Sequence, residues 1–94
     1  MSYEVRFEKA AERDLEALPR KMQRRVIERI EPLADDPRGP GTKSLKGNLR
    51  GLRCLRAGDW RISYQVDDET RTVTVIQIAH RREIYQRLAR RWRR

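Results

Sequence analysis

The sequence predicts an α+β fold: a small, antiparallel-rich sheet flanked by an N-terminal helical hairpin, in the order β-α-α-β-β-β with a short C-terminal helix. Three observations predict it. Apolar residues alternate with period two at the amino end and through the second half, and recur at helical spacing between them. Turn-forming residues separate the later strand patterns closely enough for hairpins. The 94 residues, 37% hydrophobic, suffice for one domain spanning 1–94 with a modest core and leave no room for a second.

Tyr3, Val5 and Phe7 alternate with Glu4 and Arg6, the pattern of a half-buried strand. From Lys9, Ala11, Leu15 and Leu18 share a helical face while Glu8, Glu12, Arg13 and Glu16 point away. Pro19 closes that helix and opens the next, whose stripe is Met22, Val26, Ile27, Ile30 and Leu33. Pro32 predicts an irregular last turn, and Asp36-Pro37 a stop. Arg38 to Asn48 has no sustained period and reads as a basic surface loop. Leu52 to Arg56 is a short strand, Gly58-Asp59 a tight turn, Trp60 to Val66 a strand, Asp67 to Thr70 a turn, and Thr72 to Ala79 a β-branched central strand. Beyond Arg82, Ile84, Leu88 and Trp92 recur every four residues among arginines, so 81–94 is a basic helix or tail, as able to fray as to dock.

Charge narrows the function. Lys plus Arg number 23 against 14 Asp plus Glu, a formal net charge of +9, and the basic residues are spread over helix, loop and strand patterns. That distribution suits a nucleic-acid partner better than a membrane surface. No run approaches the roughly 20 apolar residues of a membrane span, and the amino end has no apolar signal core. Cys54 is the single cysteine, which rules out an intramolecular disulfide and points to a reducing, cytoplasmic setting.

One histidine, one cysteine and no carboxylate pair at ligand spacing give no case for a metal centre, no cofactor motif is present, and no Gly-x-Ser-x-Gly turn supports acyl transfer. What remains is acid–base work on a phosphodiester. RNA supplies its own nucleophile, the 2′-hydroxyl, so the protein needs guanidinium groups and proton-transfer groups. Arg61, Arg81, His80 and Tyr85, all at strand ends, fill that list. If Asp67 faces Arg71 across a three-residue turn, Arg61 lies opposite Gln77 and Arg81, four residues on, shares its face. Ser63 and Val75 then lie on that face, while Trp60, Ile62, Tyr64, Ile76 and Ile78 turn to the helices. The bland alternatives are solvated strand arginines, a surface or capping histidine, and a packing tyrosine. Lys43 and Lys46 read equally as phosphate contacts or solvated loop charges.

The chain resembles the RelE branch of the RelE/ParE toxins of bacterial and archaeal toxin–antitoxin systems. The resemblance rests on Tyr3-x-Val5-x-Phe7, Ala11-x-x-Asp14-Leu15-x-x-Leu18-Pro19, Pro37, Leu45-Lys46-Gly47, Leu52-Arg53-x-x-Arg56-x-Gly58-Asp59-Trp60-Arg61-Ile62-x-Tyr64 and His80-Arg81-x-x-Ile84-Tyr85. It implies a ribosome-dependent endoribonuclease that cuts mRNA in the A site through a cyclic phosphate and is neutralised by an antitoxin. By matching position Arg61 and Arg81 stabilise phosphate and Tyr85 positions or activates the nucleophile. Lys43, Lys46, Arg53 and Arg56 are the expected RNA or ribosome contacts. The sequence departs from the pattern where two lysines are expected before the Gly-Asp turn: Leu52 and Cys54 stand there. His80 then becomes the first candidate for proton transfer, with Lys46 and Arg56 as fallbacks. The rival within the fold is a ParE-like toxin that binds DNA gyrase and has no catalytic set.

Overall fold

A computed structural model of the protein describes residues 2–92. Strand β1 (Glu4–Phe7) leads into helices α1 (Lys9–Glu16) and α2 (Arg20–Ile30), then β2 (Thr42–Ser44), β3 (Arg53–Ala57), β4 (Trp60–Asp67), β5 (Thr72–His80) and helix α3 (Ile84–Arg91). The five strands form one sheet in the order β1-β5-β4-β3-β2, with β1 parallel to β5 and the other neighbours antiparallel. Among the described residues no helix is long and apolar enough to cross a membrane.

The hairpin of α1 and α2 forms as its stripes predict. Ala11, Leu18, Val26, Ile30 and Leu33 are buried against Leu55, Ile62, Tyr64, Val73, Val75 and Ile78 of the sheet. Ile27 is the exception in its stripe and stays exposed. At Pro32, which cannot donate a helical hydrogen bond, α2 gives way to a 3₁₀ turn over Glu31–Ala34. The Tyr64 hydroxyl crosses the core to donate to the Pro37 carbonyl at 2.6 Å, tying the end of this segment to the sheet.

The predicted loop over Arg38 to Asn48 contains β2, an edge strand that pairs Thr42, Lys43 and Ser44 with Leu55, Cys54 and Arg53. The sheet's other face is covered as well. Leu45, Leu52, Cys54, Ile76 and Ala79 form a second apolar cluster under Ile84 and Leu88 of α3, with Trp92 packed beside it. The C-terminal helix therefore docks through Arg91.

The β4–β5 register differs from the sequence expectation twice. Asp67 faces Thr72, not Arg71, because the turn has four residues and Arg71 takes a left-handed conformation with φ 56°. The ladder then shifts again where Ser63 pairs Gln77 but Tyr64 pairs Val75, which leaves Ile76 as the extra residue of a bulge. Val75 consequently joins the helix-facing core and Ile76 the cluster under α3, the reverse of the expectation. The two one-residue shifts sum to two, so Arg61 pairs with Ala79 and keeps its face.

Candidate functional site

The site is built on the β3–β4 hairpin. Gly58-Asp59 closes it in two residues, with Ala57 opposite Trp60, and Gly58 takes φ 61° as the first position of a type II′ turn requires. That tight closure fixes the register, and the register sets Arg56 directly across from Arg61. One step further in, Lys43 of β2 pairs Cys54, which pairs Ser63, which pairs Gln77. Since paired residues share a face, these form a single row across four strands.

Lys43, Arg56 and Arg61, with Gly41, Thr42 and Cys54, line an open cleft of about 380 Å³. Three of its side chains are cationic and none is acidic. The Arg61 guanidinium is steadied by the turn, donating from Nη1 to the carbonyls of Gly58 at 2.7 Å and Trp60 at 3.0 Å. Tyr85, in the first turn of α3 and exposed, borders the cleft through Lys43, whose Nζ lies 5.8 Å from its ring centroid. Cys54 forms part of the floor at 2% exposure. Burial pushes its thiol up from the ordinary value, with the charges of Arg61 and Lys43 pulling part of the way back.

Arg81 follows the end of β5, and its backbone N–H donates to the Asp59 carbonyl at 2.7 Å, one step beyond the Trp60–His80 pair. It therefore lies on the same sheet face as Arg61 and Ala79, though it is not among the residues that line the cleft. Its Nε lies 3.9 Å from an Asp59 carboxylate oxygen, with both side chains largely in solvent.

The other predicted residues go elsewhere. His80 pairs with Trp60, whose ring packs on the helix-facing core, so the histidine points to the sheet face away from Arg61. Its ring meets Trp60 edge to face at 5.6 Å, and its Nδ1 accepts the Arg82 backbone N–H at 3.2 Å. The structure thus gives His80 a turn-capping position and does not bring it to the cleft. Arg53 pairs with Tyr64 and also faces away, donating to the Thr42 hydroxyl at 2.9 Å. With Lys46, Arg38 and Arg50 it lines a separate basic cleft of about 410 Å³. Lys43 joins Arg56 and Arg61 at the cleft from β2, a strand with no apolar residue to announce it.

A five-stranded sheet backed by a helical hairpin is an architecture this chain shares with solved toxin–antitoxin complexes of the RelBE type. The family model described as the ParE toxin of the type II toxin–antitoxin system parDE matches residues 5–85. The chain is 39% identical to toxin RelG of Mycobacterium tuberculosis over 88 residues, covering 93% of this chain and all of that protein. It is 38% identical to toxin RelE of the same organism over 85 residues, 89% of this chain and 87% of that one. Among solved structures, the toxin–antitoxin complex RelBE2 of Mycobacterium tuberculosis superposes with a TM-score of 0.78 at 34% identity, covering 85% of this chain and 99% of the other. The archaeal RelE–RelB complex of Pyrococcus horikoshii superposes with a TM-score of 0.74 at 26% identity, covering 86% and 97%. The protein belongs to the RelE/ParE toxin superfamily of type II toxin–antitoxin systems.

Proposed function

We propose that the protein is a ribosome-dependent endoribonuclease that cleaves mRNA in the A site by transesterification without a metal. The observation that carries this reading is the convergence of Lys43, Arg56 and Arg61 on one cleft without an acidic side chain, beside an exposed Tyr85. Cations of this kind do not ligate a metal but do bind a phosphodiester and the negative charge that builds on it. In the proposed reaction the RNA 2′-hydroxyl gives up its proton to water as its oxygen attacks the adjacent phosphorus, and the P–O5′ bond breaks. The products are a 2′,3′-cyclic phosphate and a free 5′-hydroxyl.

Arg61 and Arg81 neutralise the phosphate in this scheme, and Tyr85 orients the nucleotide and its 2′-hydroxyl. Lys43, a cross-strand neighbour of the position where the family pattern expects a lysine, gives a proton to the departing 5′-oxygen. Arg56 adds a phosphate contact at the cleft, and Lys46 and Arg53 hold ribosomal RNA from the separate basic cleft. The cognate partner is an antitoxin that neutralises the toxin by wrapping around it. The complexes solved for relatives support this, as does an apolar groove of about 420 Å³ lined by Tyr3, Val5, Phe7, Leu15, Ile27 and Ile30.

Adding the protein to a translating extract tests the reading: mRNA is cut within codons, and Arg61→Ala or Arg81→Ala abolishes the cuts. The family model's description as ParE favours a second reading, inhibition of DNA gyrase by binding. Intact mRNA together with stalled supercoiling by gyrase would establish that alternative.

A further inference from the structure

Asp14 sits on α1, remote in sequence from every cleft residue, yet its side chain is 13% exposed and bonded to two other elements. Its Oδ2 accepts the Ile78 backbone N–H at 3.0 Å and Arg91 Nη1 at 2.7 Å, and its Oδ1 accepts from Arg91 Nη2 at 3.4 Å. Arg91 Nη1 also donates to the Ile76 carbonyl at 3.0 Å.

The reason for this arrangement lies in the sheet. β1 runs beside β5 only as far as the Phe7–Val75 pair, and the Glu8 N–H to the Val75 carbonyl is its last bond. Past that point the outer edge of β5, where Ile76 bulges, has no strand beside it. Asp14 accepts one of its amides and Arg91 donates to one of its carbonyls, so a carboxylate and a guanidinium stand in for the missing neighbour.

Arg91 is also the last residue of α3, the helix that holds Tyr85 in its first turn. Ile84 and Leu88 bury one narrow stripe of that helix. Such a stripe resists separation but is non-directional, and it tolerates rolling and sliding over the sheet. The charge-assisted bonds at Arg91 are directional, and they lock both the roll of α3 and its position along β5.

We infer that Asp14 and Arg91 are positioning residues that set Tyr85 beside the cleft by clasping α3 to α1 across the bulged edge of β5. The inference rests on the nuclease reading for its effect on catalysis, while the clasp itself is testable without it. Two measurements on the full-length protein decide the matter, with Asp14→Asn, Arg91→Gln and Arg91→Lys as variants. Asp14→Asn keeps an acceptor for the Ile78 amide, so the fold is retained while the ion pair is lost.

In amide hydrogen exchange, the α3 amides of Asp14→Asn and Arg91→Gln should exchange at least about tenfold faster than wild type, with β4 amides unchanged. In single-turnover and steady-state cleavage on programmed ribosomes, both should lose about tenfold or more in kcat with KM unchanged, and Arg91→Lys should recover most of the loss. Unchanged α3 exchange in both variants overturns the clasp. Faster exchange with unaltered kcat overturns the positioning of Tyr85. A wild-type protein that cuts no mRNA refutes the nuclease reading instead, and the exchange data then decide the clasp alone.

Discussion

Arg56 and Arg61 stand directly opposite one another on the β3–β4 hairpin, both lining the cleft. Like charges at directly opposed positions of an antiparallel pair repel, and no carboxylate lines the cleft to separate them. Folding tolerates this arrangement, and under the proposed function a bound polyanion would relieve it.

The pair therefore separates stability from binding. Arg56→Ala should raise the unfolding free energy by a few tenths of a kcal/mol, read as a higher urea midpoint with an unchanged m-value. The same change should weaken binding to programmed ribosomes and reduce the slope of log affinity against log salt by about one. A lower urea midpoint would show that Arg56 supports the fold and would remove the argument from repulsion.

Lys43 is the one lysine lining the cleft, and in the proposed mechanism it protonates the leaving oxygen. Lys43→Ala should reduce the rate of mRNA cleavage by roughly 10²- to 10⁴-fold, the usual worth of a general acid. His80→Ala should leave the rate within a few-fold of wild type, because that ring faces away from Arg61. Rates measured on ribosomes programmed with one mRNA distinguish the two, and a larger loss for His80→Ala would reverse the assignment.

How far the sequence disclosed this site can be read from four particulars. The hairpin register was legible because Gly58-Asp59 admits one tight closure, and that alone fixes Arg56 against Arg61. The face shared by Arg61 and Arg81 was inferred through a wrong register and survives because the longer turn and the Ile76 bulge cancel in parity. Neither could be read beforehand: Arg71 is a non-glycine residue at positive φ, and a bulge leaves no signature in a β-branched run. β2 was hidden because Thr42-Lys43-Ser44 contains no apolar residue for a period to mark. The docking of α3 was hidden for another reason: the residues it covers, Leu45, Leu52, Ile76 and Ala79, come from separate segments that only the fold assembles.

Asp68 links acid stability to the turn that sets the register. Its carboxylate accepts two hydrogen bonds from Arg38, at 3.0 and 3.2 Å, and one from the Tyr3 hydroxyl at 2.6 Å. The Arg38 bond first and the Tyr3 bond second hold this carboxyl below its ordinary value. A carboxyl depressed in the folded state contributes stability above its unfolded pKa, near 3.9, and loses that contribution as pH falls through the lower folded value. Asp68→Asn should therefore narrow the gap between the urea midpoints measured at pH 6 and at pH 3. An equal gap in wild type and variant would show that the exposed pair is screened to insignificance.

Tyr64 tests the connection between core and loop. Its ring is fully buried, and its hydroxyl donates to the Pro37 carbonyl at 2.6 Å, at the point where the chain leaves the helical hairpin for the basic segment that carries Lys43. Tyr64→Phe retains the ring's packing but leaves a buried carbonyl short of its donor, a loss of about 1–3 kcal/mol. Urea denaturation should show that loss with an unchanged m-value, since the area exposed on unfolding is nearly the same. Exchange of the amides from Gly39 to Leu45 should quicken more than that of β5, because the lost bond anchors this segment and not the sheet centre. Uniform quickening across both would show that Tyr64 supports the core as a whole, with Pro37 as an incidental partner.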